Sequence, residues 1–270
     1  MKPVSASEPG DPTVPNEDWS AANQDSIVVL DGATARIDTG CRHGIAWYVD
    51  RLGSELMDGT MVRPRRMLRD VLADGIRRVA AMHPECDLTH PGTPSAGVAM
   101  VRLCDDRLEY LVLADTIIVV RTHDGNIVLT DDRVRQAAHE EKEAAMALPF
   151  GSDERSEALK RMKRRQQECR NRPGGFWVAA ANPDAADYAI RGSVALKDAT
   201  DVAVLTDGAA RCVMLFETIT WTDVIRILNE NGPADLIREV RETEASDPSA
   251  ERWTRAKGSD DATVVYAALP

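Results

Sequence analysis

The 270-residue sequence lacks any hydrophobic run close to the roughly 20 apolar residues that are needed to cross a membrane. Its N-terminus also lacks the order of a signal peptide, in which basic residues precede an apolar stretch. Cysteine is scarce, with five residues that are scattered and odd in number, as is typical of reduced thiols in a cytoplasm. We therefore expect a cytoplasmic protein without a membrane partner.

Positive charge is also in short supply, because 33 Lys and Arg residues stand against 44 Asp and Glu residues, for a net charge of −11. Affinity for a nucleic-acid backbone comes from clustered Lys and Arg side chains, so this balance argues against a nucleic-acid partner. An acidic chain can still bind a phosphorylated substrate where metal ions or a local basic patch reverse the field.

Apolar periodicity is present in abundance, and 43% apolar residues can build a substantial core. Three- and four-residue spacing predicts amphipathic helices over 42–56 and 64–82, the second with Pro64 in its first turn. Short β-branched runs predict strands at 26–30, 96–103, 108–114, 116–121, 126–130, 176–181, 202–206 and 262–268. Further helices are predicted over 132–147, 153–170, 184–190 and, as a pair, 219–245. This order predicts an α/β fold, a layered sandwich with antiparallel strands.

The first fifteen residues differ from the rest of the chain. They contain four prolines and little apolar content, which predicts a flexible N-terminal arm over residues 1–15. Nothing marks an internal boundary after it, so residues 16–270 are expected to form one domain.

Aspartates stand at the ends of several predicted strands. Asp31-Gly32 and Asp207-Gly208 each follow an apolar strand, Asp115 follows another, and Asp260 opens the last one. A single Asp-Gly pair is commonly just a surface turn. Several carboxylates converging from rigid strand ends, however, repel one another unless a hard cation such as Mg²⁺ or Mn²⁺ lies among them.

In order and spacing these residues resemble the metal-dependent protein phosphatases, the type 2C serine/threonine phosphatase family, as a divergent bacterial member. The resemblance covers about residues 16–268, and its five motifs are specific only in combination. The matching stretches are Asn16-Glu17-Asp18, Asp31-Gly32, Ala114-Asp115-Thr116, Thr206-Asp207-Gly208 and Asp260-Asp261-Ala262-Thr263.

This resemblance implies an α-β-β-α sandwich and a metal-dependent phosphatase that hydrolyses a phosphate monoester by metal-activated water. Two Mg²⁺ or Mn²⁺ ions would be held by Glu17, Asp31, the Gly32 carbonyl, Asp207 and Asp260, and Asp115 matches the ligand of a weaker third ion. The substrate would be a phosphoserine or phosphothreonine protein or a small phosphorylated metabolite. The sequence lacks a G-x-S-x-G motif or an active-cysteine arrangement, in agreement with a reaction that needs no covalent nucleophile.

Three departures from the family pattern concern the substrate rather than the metal. Thr13 stands where the family has a phosphate-binding Arg, Ile117 replaces a second Arg, and the glycine-rich Asp-Gly-x-Gly-Gly is reduced to Asp31-Gly32-Ala33-Thr34-Ala35. The alternative is therefore a pseudophosphatase that retains the fold and acts as a binding or regulatory module.

Residues outside the acidic set offer further candidates. His43 could protonate the leaving oxygen, or it could simply bond to backbone at the start of a helix. His83, Cys86 and His90 have zinc-like spacing but supply three ligands without a matching fourth.

A basic run in the helix over 153–170 is commonly a solvated face. Thr13 replaces the Arg that would bind the substrate phosphate. We therefore expect three residues of the basic run to bind substrate instead, namely Arg161, Arg164 and Arg165.

Overall fold

The computed structural model describes residues 1–62 and 65–270. Within these ranges the strands are β1 (Lys2–Glu8), β2 (Asp18–Ala22), β3 (Ser26–Gly32), β4 (Ala96–Cys104), β5 (Arg107–Leu113), β6 (Ile117–Thr122), β7 (Gly125–Leu129), β8 (Ile190–Ala195), β9 (Ala199–Leu205) and β10 (Ala262–Ala268). They form two antiparallel sheets. The first has the strand order β1-β10-β9-β6-β7, and the second has the order β2-β3-β4-β5-β8.

The helices cover the outer faces of these sheets or connect their strands. They are α1 (Gly44–Met61), α2 (Leu68–Ala81), α3 (Arg133–Gln136), α4 (His139–Met146), α5 (Asp153–Cys169), α6 (Arg211–Met214), α7 (Trp221–Glu230) and α8 (Pro233–Ala245). No helix in the described ranges combines the length and the apolar character that spanning a membrane requires.

Alternation along β3 shows how the layers are built. Val28 and Leu30 pack against α1 and α2, whereas Ile27 and Val29 point the other way into the space between the sheets. Successive side chains of a strand face opposite sides, so a strand that is apolar on both faces can serve two layers of core. A third cluster lies beneath α7 and α8 on the first sheet. The predicted α-β-β-α sandwich with antiparallel sheets is confirmed.

The N-terminal segment corrects the prediction of a flexible arm over residues 1–15. Residues 2–8 form β1, which pairs in antiparallel register with β10 from Lys2↔Ala268 to Glu8↔Ala262. Sequence composition missed this strand because an edge strand is stabilised by main-chain hydrogen bonds rather than by buried side chains, and Val4 is indeed half exposed. Pro3 is tolerated because one side of an edge strand needs no N–H donor.

Other element boundaries also differ from prediction. The helix predicted over 132–147 is interrupted at Ala138, whose φ of 59° is left-handed. Residues 176–181 form no regular strand, although Ala179 makes a bridge to Ala96. The helix predicted from Pro64 begins at Leu68, and Pro64 itself lies outside the described residues.

Candidate active site

Strands of the two sheets end together at one edge of the sandwich. Asp31 is the penultimate residue of β3 in the second sheet, and Asp207 lies two residues beyond the end of β9 in the first. The Asp207 backbone N–H donates a 3.2 Å hydrogen bond to Asp31 Oδ2, which joins the sheets at this point. Because both carboxylates are carried by strand ends, their positions are set by the sheet scaffold.

A cleft of about 370 Å³ opens at this edge. Its acidic lining comes from strand ends and their flanks: Asp31, Asp115, Asp207 and Asp260. Its basic lining comes from the surrounding loops and helices: Arg36, Arg135, Lys142, Lys163, Arg170, Arg211, Arg255 and Lys257. The cleft therefore has a carboxylate floor and a cationic wall, with apolar side chains such as Met162 and Phe176 also in the lining.

The carboxylates destabilise one another in their ionised forms. Burial raises the pKa of Asp31 well above its usual range, and repulsion by Asp207 and Asp18 adds to the shift. The pKa of Asp207 is raised by burial and by Asp260, against the opposing effect of Arg211 and Lys257. Burial and the neighbouring Asp207 raise the pKa of Asp115 to about 7. The positive charges around the acidic floor therefore do not fully offset the burial and mutual repulsion of its ionised carboxylates.

Gly32 lets two strands approach more closely than any other residue would permit. A Cβ at this position would overlap the Glu17 carbonyl oxygen and lie 2.7 Å from Ile45 Cγ2. The Gly32 N–H donates to that same carbonyl at 3.1 Å. Glu17 is thereby held beside the acidic floor, where burial raises the pKa of its carboxyl group.

Two carboxylates that sequence reasoning left without a role help to build the site. Asp18 pairs with Asp31 across β2 and β3, and its Oδ2 accepts a 2.8 Å hydrogen bond from Thr206 Oγ1. Asp261 accepts hydrogen bonds from the N–H groups of Gly10 and Glu17 at 2.8 and 2.6 Å, which fixes the segment before β2. The sequence offered one signal for these two roles, because each residue directly follows another acid, in Glu17-Asp18 and in Asp260-Asp261.

Asp260 is already partly neutralised by basic side chains. Lys257 Nζ lies 2.5 Å from its Oδ1, and Arg211 lies 3.1 Å from its Oδ2. Arg211 also pairs with the buried Glu244 at 2.7 Å, so it belongs to the structural frame. Burial lowers the pKa of Lys257, but the carboxylate of Asp260 outweighs it and the pKa is raised.

The donor set of the acidic floor fits divalent cations. It offers only oxygen atoms, and burial raises the pKa of three of its carboxyl groups, those of Asp31, Asp115 and Asp207. A hard cation such as Mg²⁺ or Mn²⁺ accepts oxygen ligands and would replace this mutual repulsion by attraction.

The basic run of α5 is divided between two faces of the helix. Arg161, Arg164 and Arg165 are exposed to solvent, and Arg165 forms salt bridges with Glu141 and Glu168. Lys163 instead lines the cleft. The three arginines predicted from the sequence thus lie on the exposed face of the helix, away from the cleft, because periodicity in a mostly polar helix does not reveal which side meets the cleft.

Lys163 has an unusual environment for a lysine. Burial lowers the pKa of its ammonium group to about 8, and the nearby charges of Arg170, Lys257 and Arg36 contribute. Among the described residues, no hydrogen bond or salt bridge holds this group. It thus differs from Arg170, which is held by the Thr93 carbonyl and Ser95 Oγ at 2.8 and 2.9 Å.

The positions at which the sequence departs from the family pattern lie outside the cleft or line it with small side chains. Thr13 is exposed and bonds to Asp11 rather than facing the acidic floor. Ile117 is fully buried in the core beneath the helices of the first sheet. Thr34 lines the cleft, where its Oγ1 accepts a 2.7 Å hydrogen bond from Lys257.

His43 does not line the cleft. It immediately precedes α1, where its ring stacks on Trp47 and its Nδ1 lies near the thiols of Cys41 and Cys86. The predicted role as proton donor to the leaving group therefore has no geometric support. Sequence spacing suggested the role because His43 follows the Asp31 loop by only twelve residues.

Comparisons with known proteins identify the fold independently. The profile of the family described as Protein phosphatase 2C matches residues 14–243. No curated protein matches the sequence.

Solved structures with the same architecture are bacterial phosphatases of distant sequence. The serine/threonine phosphatase Stp1 from Staphylococcus aureus aligns with a TM-score of 0.60 at 13% identity, over 100% of this chain and 95% of that one. The PPM Ser-Thr phosphatase MsPP from Mycobacterium smegmatis, in complex with cacodylate, aligns with a TM-score of 0.58 at 16% identity, over 100% and 99%. The catalytic domain of the phosphatase PstP, in complex with two manganese ions, aligns with a TM-score of 0.58 at 14% identity, over 100% and 98%.

Proposed function

The chain belongs to the protein phosphatase 2C family, and from that premise we propose that it hydrolyses phosphate monoesters in the cleft between its two sheets. Membership makes it a metal-dependent phosphatase with a phosphorylated substrate. The observation that carries the proposal is the meeting of Asp31, Asp207 and Asp260 from different strands at one cleft.

The proposed metal ligands follow the acidic floor. Asp31 would be shared between two Mg²⁺ or Mn²⁺ ions, with the Gly32 carbonyl and Glu17 on one side and Asp207 and Asp260 on the other. Asp115 would serve a weaker third ion. When bound, such ions lower the pKa of a water ligand and neutralise phosphoryl oxygens. The two manganese ions of the PstP structure support this count.

The cationic wall would position the phosphate. Lys163 is half-buried in the cleft lining without a hydrogen-bonding partner of its own among the described residues, so an incoming phosphate oxygen can bond to it at little cost to the protein. Arg36 lines the same cleft, and among the residues that the structure describes its guanidinium makes one hydrogen bond, a long one of 3.3 Å to the Ala256 carbonyl. A charge-assisted hydrogen bond contributes about 1.5–3 kcal/mol. Lys163 and Arg36 together could therefore replace the phosphate-binding Arg of the family, at whose position this chain has Thr13.

Such an arrangement would restrict the substrate range. Lys163 and Arg36 stand on α5 and on the loop before α1, and a phosphate would reach them only with its attached group lying against those elements. Contacts to non-reacting parts of a substrate affect kcat as well as binding. We therefore propose one preferred class, either a phosphoserine or phosphothreonine protein or a small phosphorylated metabolite.

The test is phosphate release in the presence of Mn²⁺ or Mg²⁺. The substrates are p-nitrophenyl phosphate, unrelated phosphopeptides and small phosphate esters, each with and without chelator. We expect metal-dependent release, abolished by chelator and restored by added Mn²⁺, with one substrate class well ahead of the others. Binding of Mn²⁺ and phosphopeptide without any release would instead identify a pseudophosphatase, and uniformly fast release across the panel would refute the restricted range.

A further inference from the structure

A second group of metal-ligand side chains lies at the end of the helix pair α1 and α2. Cys41 and His43 lie within three residues of the start of α1, and His83 and Cys86 lie within five residues of the end of α2. One ligand atom from each of the four residues lies within 4.8 Å of the other three. The cluster supplies the two further ligands that His83 and Cys86 need. Sequence spacing does not reveal them, because Cys41 and His43 are about forty residues away along the chain.

The distances between these atoms match those around a tetrahedral zinc ion. Cys41 Sγ lies 3.6 Å from His43 Nδ1 and 3.6 Å from His83 Nδ1, and Cys86 Sγ lies 3.4 Å from His43 Nδ1. With Zn–S and Zn–N bonds of about 2.3 and 2.05 Å, a tetrahedral angle separates a sulfur from a nitrogen ligand by about 3.6 Å. These three sulfur-to-nitrogen distances thus already suit the ion, and all four ligand atoms lie within 4.8 Å of one another.

From these observations we propose that Cys41, His43, His83 and Cys86 form a structural zinc site. Two thiolates neutralise the charge of a divalent ion, and sulfur with imidazole nitrogen is a ligand set that favours zinc over Mg²⁺ or Mn²⁺. Four protein ligands leave no open position, as is usual for a structural rather than a catalytic zinc. This site is chemically distinct from the oxygen-lined cleft.

The surroundings hold the two ligand-bearing loops in place. The Asp87 N–H donates a 3.0 Å hydrogen bond to the Gly40 carbonyl, and Arg42 forms a salt bridge with Glu85. A Cβ on Gly40, whose φ is +66°, would lie 2.6 Å from His90 Cβ. The loops therefore meet through contacts of their own, so the ligand geometry does not depend on the four side chains alone.

An aromatic side chain shields the cluster. The Trp47 ring stacks on His43 at 4.3 Å and meets His83 edge-on at 4.6 Å between ring centroids. Rings packed in this way keep both imidazoles oriented toward the thiols, as the second shell of a metal site does. His90, the third ligand suggested by sequence spacing, instead accepts a 3.0 Å bond from the Gly92 N–H.

A zinc ion here would fasten the start of α1 to the end of α2. The loop that leads to it runs from Gly32 to Cys41 and carries Thr34 and Arg36 at the cleft. Loss of the ion should therefore lower the stability of the helix layer without emptying the acidic floor of its own metal.

The experiment measures zinc bound to the full chain purified under reducing conditions. We expect one zinc ion per chain in the wild type and a loss of most of it in Cys41→Ser and Cys86→Ser. Matched controls are Cys104→Ser and Cys169→Ser, which remove thiols outside the cluster, and His90→Ala. All three should retain zinc, and Asp207→Asn should retain it as well. Because the binding free energy of a structural zinc ion adds to the free energy of folding, removal of zinc should lower Tm by at least about 10 °C.

A second measurement keeps the proposal testable if the cysteine variants do not fold. Titration of the metal-free wild-type chain with Co²⁺ should give the sulfur-to-cobalt charge-transfer band and the intense visible bands of tetrahedral coordination. Two of the five thiols should also become protected from a thiol reagent when zinc is added. Absence of zinc together with an octahedral Co²⁺ spectrum would overturn the proposal. A Cys41–Cys86 disulfide in the freshly purified reduced protein, detected by peptide mapping, would overturn it too.

Discussion

The acidic cleft and the Cys/His cluster both gather metal-ligand side chains, yet they are built in different ways. The cleft draws on strand ends from both sheets and offers oxygen atoms only, whereas the cluster joins two helix ends and offers sulfur and nitrogen. Oxygen ligands suit hard ions, which keep water or substrate among their ligands. A complete set of sulfur and nitrogen ligands suits a tightly bound structural ion. The same fold can thus keep a site for catalysis apart from a site that stabilises the structure.

The cleft and the cluster also differ in what the metal-free protein must tolerate. In the cleft, buried carboxylates repel one another and the pKa of Asp115 rises to about 7. In the cluster, neutral thiols and imidazoles can pack beside Trp47 without a charge to bury. We therefore expect metal to control activity at the first place and stability at the second.

Removing a carboxylate from the floor should have the largest effect. Loss of a residue that merely orients a metal ligand costs about 10–100-fold, so Asp31→Asn, which removes a proposed bridging ligand, should lower kcat by at least about 100-fold. Zinc content should not change, because the cluster is separate. Kinetics with Mn²⁺, calorimetric Mn²⁺ titration and zinc analysis measure these outcomes, with the exposed Asp58→Asn as control. Normal turnover and normal Mn²⁺ binding in Asp31→Asn would refute the assignment of the floor.

The cationic wall can be tested by a pair of neighbouring residues on α5. Lys163→Gln should raise KM by about tenfold or more, since a charge-assisted hydrogen bond of about 1.5–3 kcal/mol is lost. Arg164→Gln, one position along on the exposed face, should leave KM unchanged. Steady-state kinetics at low ionic strength provide the comparison. A larger increase in KM for Arg164→Gln than for Lys163→Gln would indicate that substrate binds on the exposed face of the helix.

The pH dependence of catalysis should report the same lysine. Because burial lowers the pKa of Lys163 to about 8, its ammonium form is present below that pH and is lost above it. Substrate capture should therefore weaken as pH rises, with kcat/KM falling by up to about fivefold between pH 8 and 9. In Lys163→Arg the guanidinium stays charged, and this limb of the profile should disappear. An identical alkaline limb in both proteins would assign it to another group.

The smallest expected effect concerns the pairing of Lys257 with Asp260. Lys257 Nζ lies 2.5 Å from this carboxylate, where it would compete with a metal ion for Asp260 and its charge would repel the ion. Lys257→Gln should therefore tighten Mn²⁺ binding several-fold, an effect on the order of that produced by one partly screened charge. Calorimetric titration against the wild type measures it. Weaker Mn²⁺ binding would show that Lys257 organises Asp260 as a ligand rather than competing for it.

Much of the fold and of the acidic floor was predictable because the signals are local in the sequence. An apolar run that ends in Asp-Gly places a carboxylate at a strand end wherever that strand lies, as Asp31 and Asp207 show. The family and the α-β-β-α sandwich were predicted from the order of such motifs and are confirmed. Edge strands such as β1 escaped prediction because main-chain pairing leaves little trace in side-chain composition.

Only the tertiary structure decided which distant residues meet. Helical periodicity in α5 does not reveal that Lys163 rather than Arg164 faces the cleft, since both faces of the helix are polar. Likewise, spacing alone placed His83 and Cys86 with His90, whereas the packing of α1 against α2 brings Cys41 and His43 to them instead. The sequence by itself determined the residue types and the strand ends that carry them. The convergence of side chains was decided by packing, because it depends on how separately formed elements bury their apolar faces together.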